Sequence, residues 1–241
     1  GRDWSSYVCS SDLFGFDDFE ADLSTRPEKY VGEVPRWEQA ERELAEALEA
    51  AQIPYQVAEG EGAFYGPKID VNVVDALGRE WQGGTFQLDF QMPERFGLEY
   101  VGSDNQAHNV VVIHRTLLGS MERFVGGLIE HYGGAFPTWL APEQVRVLPV
   151  GEQWDASARE LGAALEAAGV RATVESRETL GYRIREAETL KIPYMAVVGE
   201  REAADGTVAV RKRGAGKKQE VVGRAEFIAS VREEIGTKAL G

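Results

Sequence analysis

The chain has 241 residues, 43% of them apolar, a single cysteine and a formal net charge of -14. That length accommodates two ordinary domains with their own cores, and one cysteine excludes an intrachain disulfide framework or a thiolate metal cluster within this chain. The acidic balance excludes sequence-independent nucleic-acid binding by the whole surface, though not by a local basic site. No apolar run reaches the roughly 20 residues of a transmembrane helix, and no stretch has the layout of a signal peptide, so a reducing, cytoplasmic setting is expected.

Residues 1–13, Gly1-Arg-Asp-Trp-Ser-Ser-Tyr-Val-Cys-Ser-Ser-Asp-Leu13, carry neither a helical nor a strand period. They resemble translated sequencing-adapter DNA and read as a non-native leader; a natural, poorly ordered tail is the alternative. Cys9 is set aside with them. Trp37, Ala40, Leu44, Ala47, Leu48 and Ala51 then recur at helical spacing and predict an amphipathic helix over 36–51. From Lys68 to Asp75, Ile69, Val71 and Val73 face one way and Asp70 and Asn72 the other; a turn at Ala76-Leu77-Gly78-Arg79 leads into a second strand, Glu80 to Phe90. Val110 to Ile113 reads as a short buried strand. From Gly119 the pattern turns helical, with Met121, Phe124, Val125, Leu128, Ile129 and Tyr132 in one apolar stripe. Gly126 and Gly127 inside that helix cost about 0.5–1 kcal/mol each relative to Ala and predict a close neighbouring backbone.

Pro137-Thr-Trp-Leu-Ala-Pro142 breaks the period and reads as a linker, so the boundaries are 14–140 and 141–241. Beyond it, strands at Val145–Val150, Val170–Val174 and Tyr194–Val198 alternate with helices at Ala156–Ala168, Gly181–Leu190 and Phe227–Ile235. That alternation predicts an α/β domain with a mixed, mostly parallel sheet. Arg211, Lys212, Arg213, Lys217 and Lys218 form a basic run with no acid among them, which fits a solvated hairpin as well as a phosphate contact.

Three segments carry candidate chemistry: Gly60-Glu-Gly-Ala-Phe-Tyr-Gly-Pro-Lys68, Gln82-Gly-Gly-Thr-Phe-Gln-Leu-Asp-Phe90 and Ile113-His-Arg-Thr-Leu-Leu-Gly-Ser-Met-Glu-Arg-Phe124. Arg123, in the first turn of its helix, presents a planar fork suited to a phosphate or a purine face. Thr85 and Gln87 share a strand face; Gln82 joins them only if Gly83-Gly84 forms a bulge. Tyr65 and Lys68 flank the Gly66-Pro67 turn, where they can meet a carboxylate, an amino group or a phosphate, or simply cap a hairpin. His114 is a single imidazole, and three zinc ligands cannot be assembled around it from His108 and His131. No Walker loop, dinucleotide fingerprint, HExxH or nucleophile elbow occurs.

From about Phe14 to Ile235 these motifs resemble the threonyl-tRNA synthetase family, with Leu23-Ser-Thr-Arg-Pro-Glu-Lys29 and the Gly60–Lys68 segment its most characteristic stretches. Gly119-Ser-Met-Glu-Arg-Phe124 is similar to motif 3 of class II synthetases. The resemblance implies an α+β catalytic region on an antiparallel sheet followed by an α/β anticodon-binding domain. It implies ATP contacts at Arg123, Gln82, Ser120 and Thr85, catalytic roles for Arg123 and Lys68, and threonine contacts at Tyr65 and Gln87. His114 would be one of three ligands to Zn²⁺, and Glu202 and Arg211 would read anticodon bases. ATP, Mg²⁺, threonine and tRNA(Thr) follow as substrates and partners, with a homodimeric parent enzyme. The departures are specific: motifs 1 and 2 and the other two zinc ligands are absent, Gly83 stands where the family often has Cys, and the usual Asn near Ser176-Arg-Glu178 is missing. This chain alone is therefore expected to be catalytically incomplete, with weak anticodon binding by 141–241 as its surviving activity. A prolyl- or glycyl-type synthetase and a non-catalytic RNA-binding protein are the other readings.

Overall fold

The computed structural model describes residues 13–16, 19–74, 78–216 and 218–240. The leader except Leu13, with Cys9, lies outside the described residues, as do Ala76 and Leu77 of the expected turn and Lys217 of the basic run. The chain divides into two compact units between His131 and Tyr132.

The first unit is built on β1 (Phe19–Ser24), α1 (Val34–Ala50), β2 (Tyr55–Ala58), β3 (Lys68–Val74) and β4 (Glu80–Asp89). These are followed by the short α2 (Gln91–Arg95), β5 (Glu99–Val101), β6 (Ala107–Asn109), β7 (Val112–Thr116) and α3 (Met121–His131). Five strands form one sheet in the order β2-β1-β3-β4-β7, parallel only between β1 and β2. Strand alternation divides its faces. Ala21, Leu23, Ile69, Val71 and Phe86 are buried with Leu44 and Leu48 of α1. Fully buried, the larger of these side chains stabilise by about 1.5–3 kcal/mol each. Trp37, with no exposed surface, stands edge-on to Phe90 at 5.8 Å and donates its indole N–H to the Val31 carbonyl at 2.9 Å. The opposite face is polar and carries the candidate site.

Three expectations differ from the structure. The strand expected over Val110–Ile113 runs Val112–Thr116, and it is an edge strand with Ile113 64% exposed rather than a buried one. In the stripe on α3 only Leu128 is buried, while Met121, Val125 and Ile129 are exposed. Among the described residues, nothing comes within 4 Å of a side chain added at Gly126 or Gly127, so no close backbone there explains them. Strand β1 was not legible as a strand, although Phe19, Ala21 and Leu23 alternate with polar residues.

The second unit comprises β8 (Val145–Pro149), α4 (Asp155–Ala167), β9 (Ala172–Val174), α5 (Leu180–Thr189) and β10 (Tyr194–Val198). It continues with α6 (Glu200–Asp205), β11 (Thr207–Lys212), β12 (Glu220–Gly223) and α7 (Arg224–Thr237). Its sheet runs β12-β11-β10-β8-β9; β10-β8 and β8-β9 are parallel, β10-β11 and β11-β12 antiparallel. Successive residues of β8 and β10 bury alternately on two sides. Val145, Val147, Ala196 and Val198 meet Leu161, Leu165, Phe227 and Val231 of α4 and α7; Leu148, Met195 and Val197 meet Ala187 of α5. Helix α6 was not legible, because six residues carry too short a period, while the hairpin reading of the basic run corresponds to the antiparallel pair β11 and β12.

Glu234 of α7 ties three elements together. It accepts hydrogen bonds from the Thr138 hydroxyl at 2.6 Å and from Tyr194, and faces Lys212 Nζ at 3.4 Å. Burial pushes its carboxyl up, but the Thr138 and Tyr194 hydroxyls and the Lys212 charge outweigh this and hold it below the ordinary carboxylate range. A depressed carboxyl contributes stability that is complete above the unfolded-state value and disappears as pH falls through the folded one. The unit's melting temperature should therefore drop as pH falls below 4.5, and the drop should be smaller in Glu234→Gln, measured by circular dichroism melts across pH 3–7 at roughly one-unit steps.

Candidate functional site

The polar face of the first sheet gathers residues from β1, β3, β4 and β7. Lys68 pairs with Gln87 and Asp70 with Thr85, and the β3–β4 register then slips between Val71 and Asn72, so that Val71 pairs with Gly84 but Asn72 with Gln82. Gly83 is the extra residue. This bulge returns Gln82 to the face of Thr85 and Gln87, which strict alternation denies it. Gln82 Nε2 lies 2.7 Å from Asp70 Oδ1 and 3.2 Å from Thr85 Oγ1.

Two glycines make the frame possible. A Cβ on Gly66 would lie 1.7 Å from the Leu88 carbonyl oxygen, so the turn carrying Tyr65 sits directly on β4, joined by Leu88 N–H to the Pro67 carbonyl at 3.1 Å. Gly119, at φ +62°, would place a Cβ 2.8 Å from the Gly83 carbonyl oxygen and so fits the start of α3 against the bulge. There Ser120 caps the helix: its hydroxyl accepts from Arg123 N–H at 3.5 Å and donates to Glu122 at 2.7 Å.

Tyr65, Lys68, Gln82, Thr85, Gln87, Ser120 and Arg123 together line one open cavity of about 460 Å³. The Tyr65 hydroxyl donates to Gln87 Oε1 at 2.8 Å. Arg123 makes no ion pair among the described residues, leaving its fork available. A smaller, apolar pocket of about 50 Å³, lined by Phe16, Val73, Trp81 and Phe124, shares Gln82, Gly83 and Arg123 with it. Two cations, two amides and a phenol beside an apolar slot can hold an anion together with a flat or small organic group.

His114 sits opposite Gln87 across β4 and β7, its ring 6.3 Å from that of Tyr65, outside the cavity lining. Its Nε2 lies 2.9 Å from Asp89 Oδ2. Burial raises the Asp89 carboxyl, yet His114 and the backbone N–H groups of Met92 and Gln91 bring it below the ordinary range. A carboxylate fixing one imidazole nitrogen is the arrangement that orients a metal-ligating histidine. Zinc needs at least three protein donors, however, and no three His, Cys, Asp or Glu converge among the described residues. The residues present do not make a zinc site.

Sequence reasoning missed Asp70, Asp89 and Ser24. Asp70 was visible only as a polar-face residue of β3; its partners on three strands were not. Asp89 carried one readable signal, an acid just before a helix start.

In the second unit Glu202 and Arg211 are apart. Glu202, on α6 beyond the carboxyl end of β10, accepts from Gly199 N–H at 3.0 Å. Arg211, on β11, pairs with Met195 near the start of β10; its guanidinium lies 3.5 Å from Glu188 and donates to the Gly216 carbonyl at 3.1 Å, and its Nε is buried without a partner. Arg213 donates to the carbonyls of Lys191 and Phe136, Lys212 faces Glu234, and Lys218 faces Glu220. Much of the basic run is thus held within the unit.

These two units correspond to two family descriptions: residues 15–132 match the tRNA synthetase class II core domain (G, H, P, S and T), and residues 144–234 the anticodon binding domain. The fold and site therefore define a class II aminoacyl-tRNA synthetase region. The chain is 52% identical over 223 residues to a threonine–tRNA ligase of Desulforamulus reducens, covering 92% of this chain and 35% of that protein. It is 53% identical over 229 residues to one of Dehalococcoides mccartyi, covering 95% and 39%. A solved structure of the RNA binding domain of threonyl-tRNA synthetase from Cryptosporidium parvum superposes with a TM-score of 0.91 at 35% identity, over 100% of this chain and 60% of that one. The chain belongs to the threonyl-tRNA synthetase family. It spans little more than a third of the length of these curated relatives.

If Gly119 is required by both its φ and the bulge, Gly119→Ala should lose about 1–3 kcal/mol of stability in urea unfolding. Gly126→Ala, at an open helical position, should instead hold or gain by up to about 1 kcal/mol.

Proposed function

We propose that the cavity on the first sheet is the threonine and ATP subsite of a threonine–tRNA ligase, and that the second unit binds the anticodon of tRNA(Thr). The observation that carries the first half is the convergence of Tyr65, Lys68, Gln82, Gln87 and Arg123, from three segments, on one hollow. In this reading the threonine carboxylate attacks the α-phosphorus of ATP; the new carboxyl–phosphorus bond forms as the bond to pyrophosphate breaks. Arg123 and Lys68 face the charge that develops on the phosphorus oxygens, where fixed donors have most effect. Tyr65 and Gln87, bonded to one another, hold the amino-acid end. Gln82, with Thr85 and Ser120 beside it, contacts the nucleotide, which brings Mg²⁺ on its phosphates. His114 would supply one donor to zinc, with two further donors required from elsewhere in a longer homodimeric, cytoplasmic enzyme.

For the second unit, support comes from position. β8 leads to β9 on one side and β10 lies on the other, so the carboxyl ends of β8 and β10 form a topological switch point, where ligands of such sheets bind. Glu202 lies there. Arg211 reads a base by exchanging Glu188 and Gly216 for a base edge.

Arg123→Ala should weaken ATP binding by roughly 10- to 100-fold in titration calorimetry while leaving the melting temperature nearly unchanged, since its loss removes a charged donor pair. Retention of the tRNA(Thr) anticodon stem-loop on filters should fall about tenfold on single anticodon substitutions. Equal retention of all anticodons would remove the specific-recognition reading.

A further inference from the structure

Asp70 lies beneath the cavity, 7% exposed, and four donors from three strands surround its carboxylate. Ser24 Oγ approaches Oδ2 at 3.2 Å from β1, and Lys68 Nζ reaches the same oxygen at 2.6 Å. Gln82 Nε2 and Thr85 Oγ1 each reach Oδ1 at 2.7 Å. A carboxylate offers about four acceptor positions, so this one is saturated.

The chemistry of those donors has a directional consequence. The orientation of a glutamine amide is usually ambiguous, because oxygen and nitrogen look alike. Here the partner removes the ambiguity: only Nε2 can donate to an ionised carboxylate. The same nitrogen also lies 3.2 Å from Thr85 Oγ1, while the Thr85 hydroxyl donates its own hydrogen to Asp70. With its nitrogen drawn to Asp70 and Thr85, Gln82 turns its carbonyl oxygen, the other end of the amide, toward the cavity it lines.

We propose that Asp70 is a positioning residue that fixes Gln82 with its carbonyl oxygen toward the ligand, so that this subsite accepts an N–H or O–H, such as a nucleotide amino or ribose hydroxyl group, and rejects a phosphate oxygen. Thr85 acts through Gln82 rather than on the ligand. The inference rests on the nucleotide reading of the cavity only for the identity of the ligand.

The side-chain amide of Gln82 in the intact 241-residue chain, labelled with ¹⁵N, tests this directly. The proton directed at Asp70 should exchange with water at least about tenfold more slowly than those of exposed glutamines. Exchange at the exposed rate would overturn the proposal, and this measurement on the unmodified chain stands even if a variant fails to fold. Asp70→Asn offers Gln82 an amide donor, which turns the glutamine over and presents N–H to the ligand; affinity for AMP should fall about tenfold. Combining Asp70→Asn with Gln82→Glu restores an acceptor on both sides, since the introduced asparagine amide donates to one carboxylate oxygen and the other faces the cavity. That pair should recover AMP affinity to within about threefold of the unmodified chain, which a merely structural role for Asp70 does not predict. A double variant as weak as Asp70→Asn, or an Asp70→Asn chain binding AMP normally, would also overturn it. Absence of AMP binding by the unmodified chain would defeat the nucleotide reading instead, leaving the amide exchange to decide the role of Asp70.

Discussion

One extra residue in one strand organises the candidate site. The five-stranded sheet of the first unit divides into an apolar face against α1 and a polar face toward solvent, and without Gly83 the two ends of β4 would disagree about which is which. The bulge lets Trp81 stay opposite Val73 while Gln82 joins Thr85 and Gln87. A close approach of Gly119 to the same carbonyl then brings Ser120 and Arg123 to that spot. A two-glycine sequence on β4 and a left-handed glycine before α3 are thus parts of one geometric solution, and Asp70 supplies the charge that holds the re-aimed amide.

What could be read beforehand follows the range of each interaction. Elements with long, regular apolar periods were legible: the helix expected over 36–51 is observed at Val34–Ala50, and Tyr194–Val198 is a strand with the expected limits. The glycine pair on β4 announced that a bulge was necessary if Gln82 was to share a face with Gln87. Nothing local could show that Asp70 receives donors from β1, β3 and β4 at once, because strand alternation reports a face but not the neighbours across it. The exposure of Ile113 was equally hidden: an apolar run looks the same in a covered strand and at an edge.

The second unit shows the same limit in another form. Its alternating strands and helices bury aliphatic residues on both faces of the sheet, a pattern that gave the architecture directly. The basic run read as available charge, yet carbonyls and acids of the unit already occupy Arg211, Lys212, Arg213 and Lys218. Net composition says little about which cations are free, since pairing is decided by tertiary neighbours. Glu202 beyond the carboxyl end of β10 is placed by topology.

Strand β7 gives the first unit an adhesive border. Its outer rim presents a ladder of main-chain amides and carbonyls beside the bare side chain of Ile113, and among the described residues no further strand covers it. Such a rim is a template on which another extended segment can zip. Concentrated solutions of this polypeptide should accordingly favour stacking through that border, and a lysine introduced at an outward β7 position is the natural means of keeping the particles apart.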